Sequence, residues 1–457
     1  MIGFVENARR ILDLAWPALV GQLSVVAFAT VDTFLVGRLG ADDLAALAVG
    51  SAFYMTVLVT LVGVVQALGP IAGQLYGAGE HTQAGAQLQQ AVWLSLLLAA
   101  LGSLLLLNPL PVLLLADASP AVAGKVRAYL STMTLAIVLT LLFTVYRTFC
   151  TAVSRTQPVM HLQLTGLAAK VPLAMLLVPG HAGLGLPALG AWGCALSTVL
   201  AQALQVLLAW RQLRRDPFYR SFALPRVGMH RPHLPSLRAM LVLGLPIGGS
   251  LLIGISGFTV MAILIARMGT TAVAAHQITV NVVSLLFMVP LALSQASSTL
   301  VAQHVGAGER SLARRVGWHA LVLALLLAAT LGSGVYLLRQ PLIALYSRDA
   351  AVVAVTMSLL AWVVGFHLAD AAQAIASFTL RAWEVTTPPM LIYIAALWGI
   401  GLGVGTLLGF DLLGGTPAAL RGAPGYWASA TVGVAVAAVA LCGLLAWTTR
   451  RRRRSLL

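Results

Sequence analysis

Three ionisable side chains stand deep inside long apolar runs of this sequence: Asp32, Lys170 and Asp370. An ionisable group in hydrocarbon costs at least ~2.5–3.5 kcal/mol on insertion scales and by default marks a functional site. A buried carboxyl can exchange a proton or hold a cation. A buried lysine can lose its proton, which an arginine does not do. Of 28 basic residues only Lys125 and Lys170 are lysines. The chain therefore places the one basic group that can be neutralised at membrane depth. Lys170 is about ten residues from either end of its run, roughly 15 Å at 1.5 Å per residue, too deep for easy snorkelling. Asp32 is its expected partner. The pair Asp32 and Lys170 is the expected proton-coupling site, with a purely structural ion pair as the alternative.

Asp370 belongs to a polar stripe. His367, Asp370, Gln373, Ser377 and Arg381 recur at intervals of 3, 3, 4 and 4, so they share one helix face. In lipid such a face points into the bundle or a water-filled cavity. Weaker stripes are Gln277, Asn281 and Ser284, and Thr198, Gln202 and Gln205. These either line a cavity or bond helix to helix. With Phe366 and Trp362 beside it, Asp370 offers one negative charge near aromatic surface, which suits a lipophilic cation. The expected substrate-cavity set is Asp370, His367, Gln373, Ser377, Phe366, Gln277, Asn281, Thr198 and Gln202. No catalytic or metal-binding constellation is expected, and the three cysteines lack metal-ligand spacing.

The elements that position these groups follow from composition. Of 457 residues 60% are apolar and 9% charged, and the net charge is +15. A soluble domain averages roughly 45–50% apolar and about 25% charged. Soluble enzymes, disordered tails and nucleic-acid readers are excluded, and an all-α polytopic membrane protein is expected. A span needs about 20 mostly apolar residues. Twelve candidates stand near 11–37, 44–76, 88–115, 121–150, 159–182, 187–212, 236–266, 273–303, 313–345, 350–382, 386–411 and 425–449. They read as helices because lipid cannot satisfy an open sheet, and the apolar runs are continuous rather than alternating as in a barrel. The first run is too long for a cleavable signal peptide.

The segment 211–238 is rich in Pro and Arg and divides two six-helix halves. The expected organisation is a lobe over 1–212, a cytoplasmic linker over 213–237 and a lobe over 238–457 ending in a basic tail. A shift of 229 residues superposes the halves. Pro17 falls on Pro246, Arg38 on Arg267, Gly40 on Gly269, Gln66-Ala67 on Gln295-Ala296, and GAGE at 77–80 on GAGE at 306–309. Six helices per half make this a parallel repeat, typical of alternating-access transporters with sites at the repeat interface. With the N-terminus inside, 20 basic residues fall inside and 7 outside: the outer ones are Arg38, Lys125, Arg127, Arg267, Arg339, Arg348 and Arg421. Both termini are therefore expected in the cytoplasm. The run Arg450–Arg454 is expected to touch anionic lipid headgroups. Trp16, Trp210, Trp318, Trp383 and Trp447 fit interfacial belts, and the GAGE segments fit tight turns at helix ends.

Several segments together resemble the multidrug and toxic compound extrusion (MATE) family, in its NorM-like and DinF-like branches. They are VDTFLVGRLGADDLAALAVG at 31–50, QLYGAGE at 74–80, LGLPIGGS at 243–250, AAHQITVNVVSLLFMVPLALSQA at 274–296 and LADAAQAIASFTLRAWEVTTPP at 368–389. The resemblance covers essentially the whole chain. It implies two six-helix lobes in a V around a central cavity, in a bacterial inner membrane, exporting amphipathic, usually cationic compounds in exchange for protons or sodium. It implies that Asp32 is the family's helix 1 carboxylate and Asp370 its helix 10 carboxylate.

Two departures bear on the ion. The helix 7 glutamate of NorM-like members falls on Gly254. The helix 5 asparagine and aspartate of members with a sodium site fall on Lys170 and Ala174. An ammonium in place of an oxygen ligand repels a cation, so protons are favoured over sodium as the coupling ion, with no cofactor and no nucleic-acid partner. The chain is expected to act as a monomer. Sodium-coupled efflux and a lipid-linked saccharide flippase of the same superfamily are the alternatives. A polytopic membrane enzyme is a distant one, because the loop acids are scattered rather than clustered.

Overall fold

The computed structural model describes residues 3–117, 119–181, 183, 185–224 and 230–454. Among the described residues twelve helices are long and apolar enough to cross a membrane. They are α1 Phe4–Val36, α2 Ala41–Gly77, α3 His81–Leu114, α4 Pro120–Ala152, α5 Thr156–Leu177 and α6 Gly190–Arg215. After the linker come α7 Leu234–Ala266, α8 Thr270–Gly306, α9 Arg310–Leu337, α10 Val363–Ala382, α11 Thr387–Gly409 and α12 Ala423–Arg450. Among the described residues the only bridge outside helices pairs His181 with Leu186, and no strand forms.

The helix ends are written in the repeat. Gly79 and Gly308 close α2 and α8 with φ of 79° and 78°, a left-handed conformation that glycine adopts without steric cost. Glu80 N–H then donates to Leu75 O at 2.9 Å, and Glu309 N–H donates to His304 O at 2.8 Å. These bonds satisfy helix-end carbonyls in the Schellman pattern. The sequence GAGE therefore encodes a turn twice.

The chain forms two compact units, one of 1–19 with 249–457 and one of 20–248. The boundaries fall inside α1 and α7, and 20 and 249 are again 229 residues apart. Pro17 and Pro246 lie within those two helices, close to the boundaries, where each removes a ladder hydrogen bond. In the first unit the start of α1 is held to α9, with Asn7 Nδ2 2.8 Å from His319 Nδ1 and Phe4 edge-on to the same ring. In the second, the start of α7 is held to α3. Gln87 donates to Ser236 Oγ, and Gln90 bonds the backbone of Arg231 and His233.

Each unit has its own apolar core. That of residues 20–248 is one cluster including Leu61, Leu68, Leu94, Ile137 and Phe149. The other unit has two clusters, one around Leu293, Ile375 and Trp383, the other around Phe366, Tyr426 and Trp427.

Two local features differ from the pattern. The expected span 350–382 is two helices, Ala350–Leu360 and α10, because the chain tightens at 361–362, where Trp362 N–H donates to Leu359 O at 3.1 Å. Trp383 does not sit at an interface. It is 1% exposed and packs in the core at the end of α10, whereas Trp16, Trp210 and Trp447 are about half exposed.

Candidate functional site

In the unit of residues 20–248, three helices converge on Lys170. The residue lies on α5 and is fully buried. Its Nζ is 2.7 Å from Asp32 Oδ1 on α1. It also donates to three oxygens of α6: Cys194 O at 3.0 Å, Ser197 Oγ at 2.9 Å and Thr198 Oγ1 at 2.7 Å. The Phe28 ring lies 5.9 Å from the same nitrogen. An ammonium has three protons and no acceptor; the three α6 oxygens accept from it, and Asp32 Oδ1 supplies the counter-charge.

The pair is asymmetric. Lys170 has no exposed side-chain surface, while Asp32 keeps 14% of its own. The aspartate side chain is therefore partly accessible and the lysine side chain is not. Protonating Asp32 leaves Lys170 hydrogen-bonded to three neutral oxygens but without a counter-charge, which is costly in a low dielectric. The state of one proton thus changes the electrostatic balance of three helices.

Of the polar residues on α6, Thr198 belongs to this cluster. Gln205 joins helices instead, its Nε2 donating to Leu162 O on α5 at 3.2 Å. Gln202 is half-buried and its Oε1 has no partner among the described residues. Cys194 O and Ser197 were missed by sequence reasoning. A backbone carbonyl has no sequence signature, and Ser197 is off the 198–202–205 stripe.

The other unit centres on α10. Asp370 is 9% exposed, and its Oδ1 accepts from Gln373 Nε2 at 2.9 Å. Gln373 Oε1 accepts in turn from the Tyr393 hydroxyl of α11. Ser377, 2% exposed, continues the same face. Arg381 is buried near its end and stacks on Phe378 at 4.1 Å. Among the described residues Asp370 enters no ion pair within 4.0 Å, unlike Asp32. His367 is fully buried with neither ring nitrogen partnered among the described residues. Phe366 is 2% exposed and packs against Trp427 and Phe258 with centroids 5.6 and 6.3 Å apart.

On α8, Gln277, Asn281 and Ser284 form one exposed face. Asn281 Oδ1 there accepts from the Tyr346 hydroxyl at 3.1 Å. The side chains of Arg451–Arg454, expected at headgroups, lie outside the described residues. No cluster of three or more His, Cys, Asp or Glu side chains suited to a metal stands among the described residues.

The family model MatE matches residues 17–176 and again 246–407. The two matches begin at Pro17 and Pro246, the same 229-residue offset. A probable multidrug resistance protein NorM of Aromatoleum aromaticum is 36% identical over 97% of this chain and 95% of its own. One from Chromobacterium violaceum is 35% identical over 98% and 95%. The crystal structure of the eukaryotic MATE transporter AtDTX14 superposes with a TM-score of 0.87 at 20% identity, covering 99% of this chain and 100% of that one. With the repeat, the twelve helices and the matched length in agreement, the chain belongs to the MatE family of multidrug and toxic compound extrusion transporters.

Proposed function

We propose that this chain is a multidrug efflux antiporter of the bacterial inner membrane. It exports amphipathic cations in exchange for protons by alternating access. Its relatives named as multidrug resistance proteins support the efflux. The observation that carries the ion is the pair Asp32–Lys170, 2.7 Å apart, with the lysine side chain sealed and the aspartate side chain partly accessible. The lysine's own ammonium fills the space among Asp32, Cys194 O, Ser197 and Thr198. A sodium ion would have to displace a tethered cation of equal charge. A proton needs no such room, because it adds to the carboxyl itself. Gly254 on α7 and Ala174 on α5 supply no further oxygen ligand from a side chain.

The two units then divide the work. Asp32 and Lys170 respond to the proton. Within the unit that holds α10, Asp370, with Gln373, Ser377 and Tyr393, supplies a negative charge for the substrate, alongside His367, Gln277 and Asn281. Both termini and the linker face the cytoplasm by the distribution of arginine, and the active form is the monomer.

Recognition of substrate is tested at Asp370. Asp370→Asn keeps the shape of the side chain and its acceptor for Gln373. It should weaken binding of lipophilic cationic dyes by about tenfold, the effect of ~1.4 kcal/mol of lost Coulomb attraction, and leave neutral amphipathic dyes nearly unchanged. Fluorescence titration of the purified protein with both dye classes checks this. Equal loss for both classes assigns Asp370 to structure and removes it from substrate recognition.

A further inference from the structure

Between α5 and the end of α6, within one compact unit, lies an open cavity of about 400 Å3 that the transport reading does not use. It is lined by Leu162, Leu208, Arg211, Gln212, Arg215 and Asp216. We propose that this cavity binds the phosphate of an anionic phospholipid, with the acyl side of the lipid against the two leucines.

Arg211 and Arg215 are four residues apart, so both guanidinium groups lie on one helix face. Neither enters an ion pair among the described residues. The one acid in the lining is already engaged. Asp216 Oδ2 accepts from Arg155 at 2.7 Å and Oδ1 from Phe218 N–H at 2.9 Å. Gln212 accepts from the Tyr146 hydroxyl through its carbonyl oxygen at 2.8 Å, which turns its amide N–H groups into the available ones. The cavity lining therefore holds two arginines and an amide donor beside one acid that is already paired with Arg155. Guanidinium forks match the oxygens of a phosphate.

The apolar wall selects lipid over a soluble anion. Leu208 lies one turn nearer the centre of the span than Gln212, and Leu162 faces it from α5. A phosphodiester whose tails run along these leucines uses both halves of the cavity, while free phosphate uses only one. Trp210, half exposed at the same helix end, is placed as interfacial tryptophans are. Arg214 is turned away, stacked over Trp210 at 4.2 Å. Basic pockets between transmembrane helices are recurrent sites for anionic headgroups.

The test uses the full chain in mild detergent with an equimolar mixture of phosphatidylglycerol and phosphatidylcholine, read as lipid adducts by native mass spectrometry. The wild type should retain phosphatidylglycerol preferentially. Arg211→Gln with Arg215→Gln should lower that preference by roughly thirtyfold. Arg214→Gln with Arg220→Gln removes the same charge from outside the cavity and should keep it. Equal losses in the two double variants, or none in the first, overturn the site. Displacement of the lipid by inorganic phosphate at millimolar concentration overturns the lipid assignment in favour of a soluble anion. Should the first double variant not fold, photoreactive phosphatidylglycerol on the wild type decides. Label on the peptide spanning 208–216 supports the site, and label confined elsewhere overturns it.

Discussion

Replacing Asp32 with asparagine is expected to abolish proton-driven efflux while leaving the protein folded. Asparagine has the shape of a protonated carboxyl and still offers Lys170 an oxygen. The three α6 oxygens on Lys170 are untouched by the change. The repeat also shows that the position tolerates a neutral residue, since its counterpart in the other unit is Met261, 4% exposed. The variant should express and fold, with a thermal midpoint lowered by the loss of the counter-charge to buried Lys170, yet export no dye above empty liposomes under an imposed pH gradient. Undiminished export would remove Asp32 from coupling.

The second large effect is at Lys170. Truncation to alanine leaves Asp32 facing Ser197 and Thr198 without its cation. Breaking one side of a buried pair costs about 3–5 kcal/mol, so a clear drop in the thermal midpoint in detergent is expected along with loss of transport. Pairing Asp32→Asn with Lys170→Met removes both charges. It should regain stability over Lys170→Met alone by a coupling energy of about 0.5–3 kcal/mol, and still not transport. Additive losses would show that the two residues act independently. Lys170→Asn with Ala174→Asp goes further. It exchanges the tethered cation for two oxygen donors, because Ala174 is one turn along α5 and fully buried. Sodium-dependent export by that variant, absent in the wild type, is the expected outcome.

Much of this was legible because lipid makes exceptions visible. Against continuous apolar runs, Asp32, Lys170 and Asp370 stand out by type alone. The repeat was legible because Pro17 and Pro246, Gly40 and Gly269, and the two GAGE turns carry backbone requirements that few residues meet. What stayed hidden depends on groups that look alike in every sequence, or on contacts between distant helices. The carbonyl of Cys194 on Lys170 is of the first kind. Tyr393, which completes the Asp370–Gln373 chain from α11, is of the second. The wide π-type winding of Ile394–Val404 also escaped. It lies in an apolar stretch whose residues suit an α-helix equally well. The division of α1 and α7 between two compact units was unreadable too, since an apolar helix carries no mark of which neighbours it packs against. Phe366 shows the limit of proximity in sequence: it adjoins His367 yet turns into the aromatic cluster with Trp427.

In the proposed mechanism one proton on the Asp32–Lys170 pair drives export. Its most direct test is dye efflux from proteoliposomes of the wild-type protein, driven in turn by a pH gradient without sodium and by a sodium gradient at uniform pH. Export is expected under the pH gradient and none under the sodium gradient. Export driven by the sodium gradient alone would contradict it.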